Sequence, residues 1–363
     1  MTVERGIAGF VLPFGAGMTA IVYIDALHST PALLPLIIIA TCVIILTHPS
    51  RASFPDFTIN ISIFLVALCC GMFVGISNSI SATDIWYRLH FITDVAGNFR
   101  EYLEQGIAEI PFRESQTGAM ITALITGERH LLTSDTIEIF RESGASHILA
   151  LSGLHLGIIY SILRYVLTPL GKSPISIRSR SFITISACGF YTMATGASPS
   201  IMRAFLFILI GEISVITGHF KNIGTTLMTA LLFQLLLKPG SIQNPGFQLS
   251  YAAMTGIAFI YPYLKGIWPD GRGGIMKRIW NSAALSISCQ LTTGPLAFIW
   301  FGTFPQYFIL TNLLALPLVG LIIPAALLVL SLNMCDICPT ILIQVTEQLT
   351  TWMHESLSII STM

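Results

Sequence analysis

Ser152 and His155 stand three residues apart in the string Ala150-Leu151-Ser152-Gly153-Leu154-His155. On a helix that spacing puts a hydroxyl and an imidazole on one side, the pairing of a nucleophile with its base. A working triad recruits its base from elsewhere in the chain and adds a third group to orient it, so an intramembrane serine hydrolase is the weaker reading. Ser146 and His147 come just before. On an unbroken helix His147 and His155 would lie about 12 Å apart, too far to share a metal ion unless the helix breaks at Ser152-Gly153. Such a break would also turn free backbone amides toward an anion, as discontinuous transporter helices do. A structural hydrogen-bonding role for either histidine is equally open.

Arg203 opens an apolar stretch in Gly196-Ala197-Ser198-Pro199-Ser200-Ile201-Met202-Arg203. It suits a phosphate contact, or a snorkelling anchor that pairs with a carbonyl or with Glu212. Glu212 is nine residues on, beyond the reach of a direct pair one turn away. Ser282, Ser286, Gln290 and Thr293 recur at steps of four, four and three, one helical face. Thr226, Thr229 and Gln234 do the same in another segment, and Gln248 and Thr255 in a third. Asn244, Gln248 and Ser250 belong to Asn244-Pro245-Gly246-Phe247-Gln248-Leu249-Ser250, and Asn312 lies in the last long apolar run. Such faces line wet paths, and they also glue membrane helices together.

The elements that must hold these residues follow from composition. Of 363 residues, 53% are hydrophobic and 10% charged, with mean hydropathy +0.77. A soluble domain carries about 25% charged residues, so the solvent for most of this chain is lipid. The net charge is zero, which removes any global field for nucleic acid and leaves local Lys and Arg to handle anions. The seven cysteines mostly lie in apolar runs. Cys335 and Cys338 form a lone CxxC, a weak zinc or redox signal without a second pair. No metal ligand set and no cofactor motif is assigned.

Apolar runs predict an all-α polytopic bundle of about ten spans, near 6–24, 31–47, 59–80, 147–169, 181–197, 201–217, 223–237, 247–264, 281–300 and 307–331. The run after Arg5 could be a signal peptide, but further apolar runs follow at once and favour a first span. Loops on one side carry Lys172, Arg178, Arg180, Lys221, Lys265, Arg272, Lys277 and Arg278; the opposite loops carry Lys238. The positive-inside rule then places the N-terminus in the cytoplasm and 81–146 outside. That outer segment divides into amphipathic pieces over 85–110, 117–125 and 134–141, fit to lie on the bilayer or across the mouth of a bundle. Thr133 or Ser134 is the expected N-cap of the last piece, and Gly144 its stop. The tail at 339–361 suits a last span or, with Glu347, Trp352 and His354, an interfacial helix. The division is 1–80 (N-terminal spans), 81–114 (outer connector), 115–331 (core) and 332–363 (C-terminal helix).

The stretch Gly127–Gly157, ending in Ser-His-Ile-Leu-Ala-Leu-Ser-Gly-Leu-His-Leu-Gly, resembles the competence domain of the ComEC family, the inner-membrane DNA channel of natural transformation. Gly196–Ser200 with Arg203, Asn244–Ser250, Leu291–Pro295, and Asn312 with Pro317 match in the family's order, so the resemblance covers roughly 115–330. It implies a channel for single-stranded DNA, with Ser146, His147, Ser152, Gly153, His155, Ser198, Ser200, Arg203, Asn244, Gln248, Ser250, Ser286, Gln290 and Asn312 along the path. Phe247 and Tyr251 would offer stacking surfaces. It further implies a periplasmic DNA receptor, a cytoplasmic ATP-driven translocase, since no P-loop is present, and a separate nuclease. Relatives carry an OB-like outer domain, for which only about 35 residues are available here, and many end in a metallo-β-lactamase-like domain, of which no HxHxDH motif is seen. A small-solute or lipid permease is the alternative from another class.

Overall fold

The computed structural model describes residues 2–23, 61, 63–72, 90–171, 173–218, 222–268, 274–302 and 306–363. Among them no strand occurs, and the chain is all-α. We number the helices α1 (Thr2–Tyr23), α2 (Ile63–Met72), α3 (His90–Ala108), α4 (Ser115–Thr126), α5 (Ser134–Glu142), α6 (Ser146–Leu149), α7 (Gly153–Val166), α8 (Pro174–Ala194), α9 (Pro199–Thr217), α10 (Ile223–Leu237), α11 (Pro245–Thr255), α12 (Tyr261–Gly266), α13 (Ile275–Phe301), α14 (Phe308–Asn333) and α15 (Thr340–Ser361). Three of them, α9, α13 and α14, are long and apolar enough on their own to cross a membrane. The expected span at 31–47, residues 81–89 of the connector and parts of the span at 59–80 lie outside the described residues.

The chain groups into two compact units. One comprises Met1–His90 with His219–Gln248, the other Phe91–Gly218 with Leu249–Met363, and the division falls inside α11. In the first unit α1 packs on α10 and crosses α2 through glycine. A Cβ on Gly17 would collide with the Leu68 backbone, and one on Gly71 with the Phe14 backbone. Small residues thus let two apolar helices approach to backbone contact.

The second unit is built around α14. Its Val319, Ile322, Ile323, Ala326 and Val329 meet Met120, Ala123 and Leu124 of α4 and Met353 and Leu357 of α15 in one core. This corrects the placing of α4. An amphipathic collar piece should have a wet side, but nine of its twelve residues are buried, the threonines Thr117, Thr122 and Thr126 among them. Thr126 Oγ1 donates to the Thr122 carbonyl (2.9 Å), which hides the hydroxyl inside the helix. Its charge-free sequence already allowed burial; the polar residues flanking it concealed that.

The C-terminal helix joins the same core. α15 packs along α14, burying Ile343, Thr346, Thr350, Met353, Leu357 and Ile360. Glu347, which argued for the interface, is buried because its Oε1 accepts the backbone N–H groups of Arg113 (2.8 Å) and Glu114 (2.9 Å). Other boundaries follow local rules. The Thr133 hydroxyl caps α5 by accepting the Thr136 N–H, and Gly144 ends this stretch at φ 77. α8 starts seven residues before the apolar run, because Ser173 caps it and Pro174 occupies its first turn. After α11 the helix widens into a π-turn over Gly256–Ile260, where a Cβ on Gly256 would strike the Ser288 carbonyl of α13.

The carboxylate of Glu347 joins α15 to the entry of α4. Glu347→Ala should lower stability in detergent by about 1–3 kcal/mol, the cost of two unpaired amides, while Glu347→Gln, which keeps an acceptor oxygen, should lose less. Thermal unfolding of the purified variants measures both; equal losses would contradict the assignment.

Candidate functional site

The string that opened the sequence reading does break the helix. α6 ends at Leu149, Ala150–Ser152 is extended, and α7 begins at Gly153. The break is self-capped. Ser152 Oγ accepts the Leu154 N–H (3.2 Å), and His155 Nδ1 accepts the Ser152 backbone N–H (3.1 Å) with Ser152 Oγ 3.0 Å away. With Nδ1 taken as an acceptor, the neutral ring holds its proton on Nε2. That Nε2 is buried and has no partner among the described residues. The serine–histidine contact is therefore a capping box, and the ring lacks the orienting group a hydrolase would need.

The break brings the two histidines near one another: His147 is a close enough neighbour of His155 to act on it electrostatically. His147 Nδ1 donates to the Gly144 carbonyl (3.1 Å), and Asn312 on α14 is a neighbour of its ring. Asn312 Nδ2 in turn donates to Ser286 Oγ of α13 (3.4 Å), leaving its own buried Oδ1 without a partner. One turn along α13, Gln290 Nε2 is buried and unpartnered as well. No group of three or more metal-ligating side chains occurs among the described residues, and Cys335 and Cys338 are free thiols.

Arg203 closes the circuit. It is 9% exposed, in the first turns of α9, and its Nη1 donates to the Ser250 carbonyl of α11. The Tyr251 phenol and the Cys289 thiol are its electrostatic neighbours, and among the described residues no carboxylate pairs with it. Gly153 makes the approach possible: a Cβ there would lie 3.1 Å from Arg203 Nη2 and 3.3 Å from Ala204 Cβ. Arg203 thus lies against Gly153 at the helix break, with Tyr251 and Cys289 beside it, while Ser286 of α13 meets Asn312 of α14.

Four expected residues do other work. Asn244 Oδ1 accepts the Gly246 N–H (2.8 Å), capping α11, and Gln248 Nε2 donates to the Ile242 carbonyl (2.8 Å); both belong to the first unit. Ser146 Oγ makes a long bond to the Phe140 carbonyl (3.5 Å). Ser250 contributes its carbonyl, and its side chain is buried. Ser198 precedes α9 with a buried, unpartnered Oγ, and Ser200 has a partner of its own. On α13, Ser282 is exposed while Ser286 is buried, so the stripe divides along its length.

A second polar cluster was not foreseen. Glu212, fully buried on α9, accepts from Tyr160 Oη (2.8 Å), Arg164 Nη1 (3.3 Å) and Ser181 Oγ (2.5 Å), tying α7 and α8 to α9. Arg203 does not reach it; nine residues of helix separate them by about 13 Å. The clue in the sequence was that Arg164 and Glu212 are opposite charges inside apolar runs, which seek each other in a membrane. One charge on α9 is therefore saturated, and the other is held by a carbonyl. Wild-type protein should show no fluorophosphonate labelling of Ser152, and Ser152→Ala should cost about 1 kcal/mol of stability as a lost cap. Labelling that disappears in Ser152→Ala would overturn the capping assignment.

Comparison with known proteins gives this geometry a family. The family model described as Competence protein matches residues 124–363. Among curated proteins, the chain is 26% identical over 198 residues to the ComE operon protein 3 of Bacillus subtilis (strain 168), covering 54% of this chain and 24% of that protein. It is 24% identical over 209 residues to the uncharacterized protein YcaI of Escherichia coli (strain K12), covering 56% of this chain and 28% of the relative. The chain thus spans about a quarter of the length of these relatives. No solved structure matches it. The match takes in α5 to α15 and every residue around Arg203, and it shows that this chain is a membrane protein of the competence family, of ComEC type.

Proposed function

We propose that the protein passes one strand of DNA across the inner membrane into the cytoplasm during natural transformation. The observation that supports this reading is Arg203, a buried guanidinium with no carboxylate partner among the described residues, set against a helix break. A phosphate cannot enter hydrocarbon bare; a charge at the bilayer centre costs at least about 2.5–3.5 kcal/mol on insertion scales. Arg203 offers a fork for two phosphate oxygens. The Nε2 of His155 and the amides of Gln290 and Asn312 offer hydrogen bonds that tolerate any base. Because the relatives' names concern far longer proteins, strand transport by this chain is our inference.

The reading extends to the whole molecule. We place about ten spans in the inner membrane with the N-terminus in the cytoplasm, since the basic loops between spans favour that side. The chain would receive DNA from a periplasmic receptor and yield it to a cytoplasmic ATP-driven translocase, with a separate nuclease removing the other strand. The divisions 1–80, 81–114, 115–331 and 332–363 then describe entry spans, outer connector, channel core and closing helix.

One observation favours a second reading, a lipid permease. An open, largely apolar groove of about 630 Å³ runs down α7 from Gly153 through Leu154, Ile158 and Ile162 to Tyr165, bounded by Gly320 and Pro324 of α14. An acyl chain would fit it, with a phosphate headgroup toward Arg203.

The deciding experiment is transformation of a deletion strain complemented with variants, with surface DNA binding measured in parallel. Arg203→Ala should lower the entry of protected DNA by about ten- to a hundredfold, as expected for loss of a charge-assisted contact, and His155→Ala by about two- to tenfold, as expected for a neutral hydrogen bond. Membrane insertion and surface binding should be unchanged, and Arg203→Lys should recover part of the loss. Unchanged frequencies in both alanine variants would refute the site. Normal transformation together with altered lipid distribution would support the permease.

A further inference from the structure

Helix α14 ends in a turn that sets a carboxylate where a helix least favours one. The Asp336 N–H donates to the Asn333 carbonyl (3.0 Å) and the Ile337 N–H to the Leu332 carbonyl (3.1 Å), with Asp336 in the left-handed region at φ 55. Glycine is the usual occupant of that position. The C-terminal end of a helix is the negative pole of its dipole and favours a cation. Asp336 adds a full negative charge there. Its side chain is exposed, and among the described residues no cation pairs with it.

The turn borders a polar cleft of about 300 Å³, lined by Arg113, Asn333, Asp336, Thr340, Gln344 and Glu347 among others. Glu347 is the buried member, 9% exposed. Its Oε1 accepts the amides of Arg113 and Glu114, which fix the carboxylate in place. Its Oε2 accepts no hydrogen bond among the described residues and is not sealed from the cleft. The Arg113 guanidinium, exposed at the same cleft, pairs with neither carboxylate among the described residues. Two carboxylates and the negative end of α14 thus meet one unpaired cation, and the balance is negative.

We propose that this cleft binds one hydrated divalent cation of the magnesium type, held by Glu347 Oε2 and Asp336, with Asn333, Thr340 and Gln344 bonding to its waters. The lining oxygens are hard donors, which suit magnesium, calcium or manganese. Among the described residues no three histidine, cysteine or acidic side chains group closely enough to strip an ion of its water. Magnesium needs no such set, since it binds through one or two carboxylates and keeps several waters. Six waters take about 180 Å³ at about 30 Å³ each, which the cleft can hold. The bound ion joins the end of α14 to α15 and, through the amides on Glu347, to the entry of α4. None of these residues belongs to the proposed DNA path, so the inference stands independently of strand transport.

Manganese binding tests it. The full chain, purified in detergent and stripped with a chelator, is titrated with Mn²⁺, whose free-ion paramagnetic resonance signal is lost on binding. One Mn²⁺ per chain should bind, and Mg²⁺ should displace it. Asp336→Asn and Glu347→Gln should each weaken binding at least about tenfold, as expected for loss of one charged contact. Glu347→Gln keeps an acceptor for the two amides, and Asp336→Asn changes an exposed side chain. Arg113→Gln, which removes the opposing charge, should tighten binding. A wild-type chain that takes up no Mn²⁺, or binding that is the same in Asp336→Asn and Glu347→Gln as in wild type, overturns the site. Should Glu347→Gln fail to fold, Asp336→Asn alone decides, with the same two outcomes.

Discussion

A guanidinium withdrawn from water, with no carboxylate beside it among the described residues, sets the main constraint around the helix break of the second unit. Burying a cation is costly unless its donors are satisfied, and Arg203 meets that demand with a backbone carbonyl, at Ser250. A carbonyl dipole offsets part of the desolvation and leaves the net positive charge in place. The surrounding architecture follows. Gly153 has no side chain because the guanidinium needs the space, and the helix breaks immediately before it. α11 contributes a carbonyl, and α13 brings a thiol.

Glu212 is the instructive contrast. It shares α9 with Arg203 and is buried more completely, yet three donors from two other helices converge on its oxygens. Such a saturated carboxylate fastens helices together. The same helix thus carries a carboxylate that ties α7 and α8 to α9 and, near the break, a guanidinium held by a carbonyl.

Much of the local structure was legible because it rests on short-range rules. The cap at Thr133, the stop at Gly144 and the break at Ser152-Gly153 are each set by one or two side chains and their own backbone. The all-α class followed from hydropathy alone. The surroundings of α4 and α15 are decided at long range: Glu347 reads as a surface charge until the amides of Arg113 and Glu114, more than two hundred residues away, are seen to occupy it. Asn244 and Gln248, which the family motif put along the path, use polar atoms in a helix cap and a turn, a local role that the motif did not reveal. Asn312, Ser286 and His147 were named separately, and their meeting at α13, α14 and α6 could not be read from spacing.

The central claim is that a translocating strand touches the polar side chains that Arg203 and the broken helix hold together. Its most direct measurement is site-specific photo-crosslinking during uptake of radiolabelled DNA, with the photoreactive residue placed at Gln290, at Asn312 or, as a control on the lipid side, at Leu321. The account predicts strand adducts from Gln290 and Asn312 and none from Leu321. Normal entry of DNA with no adduct from either polar position would contradict it.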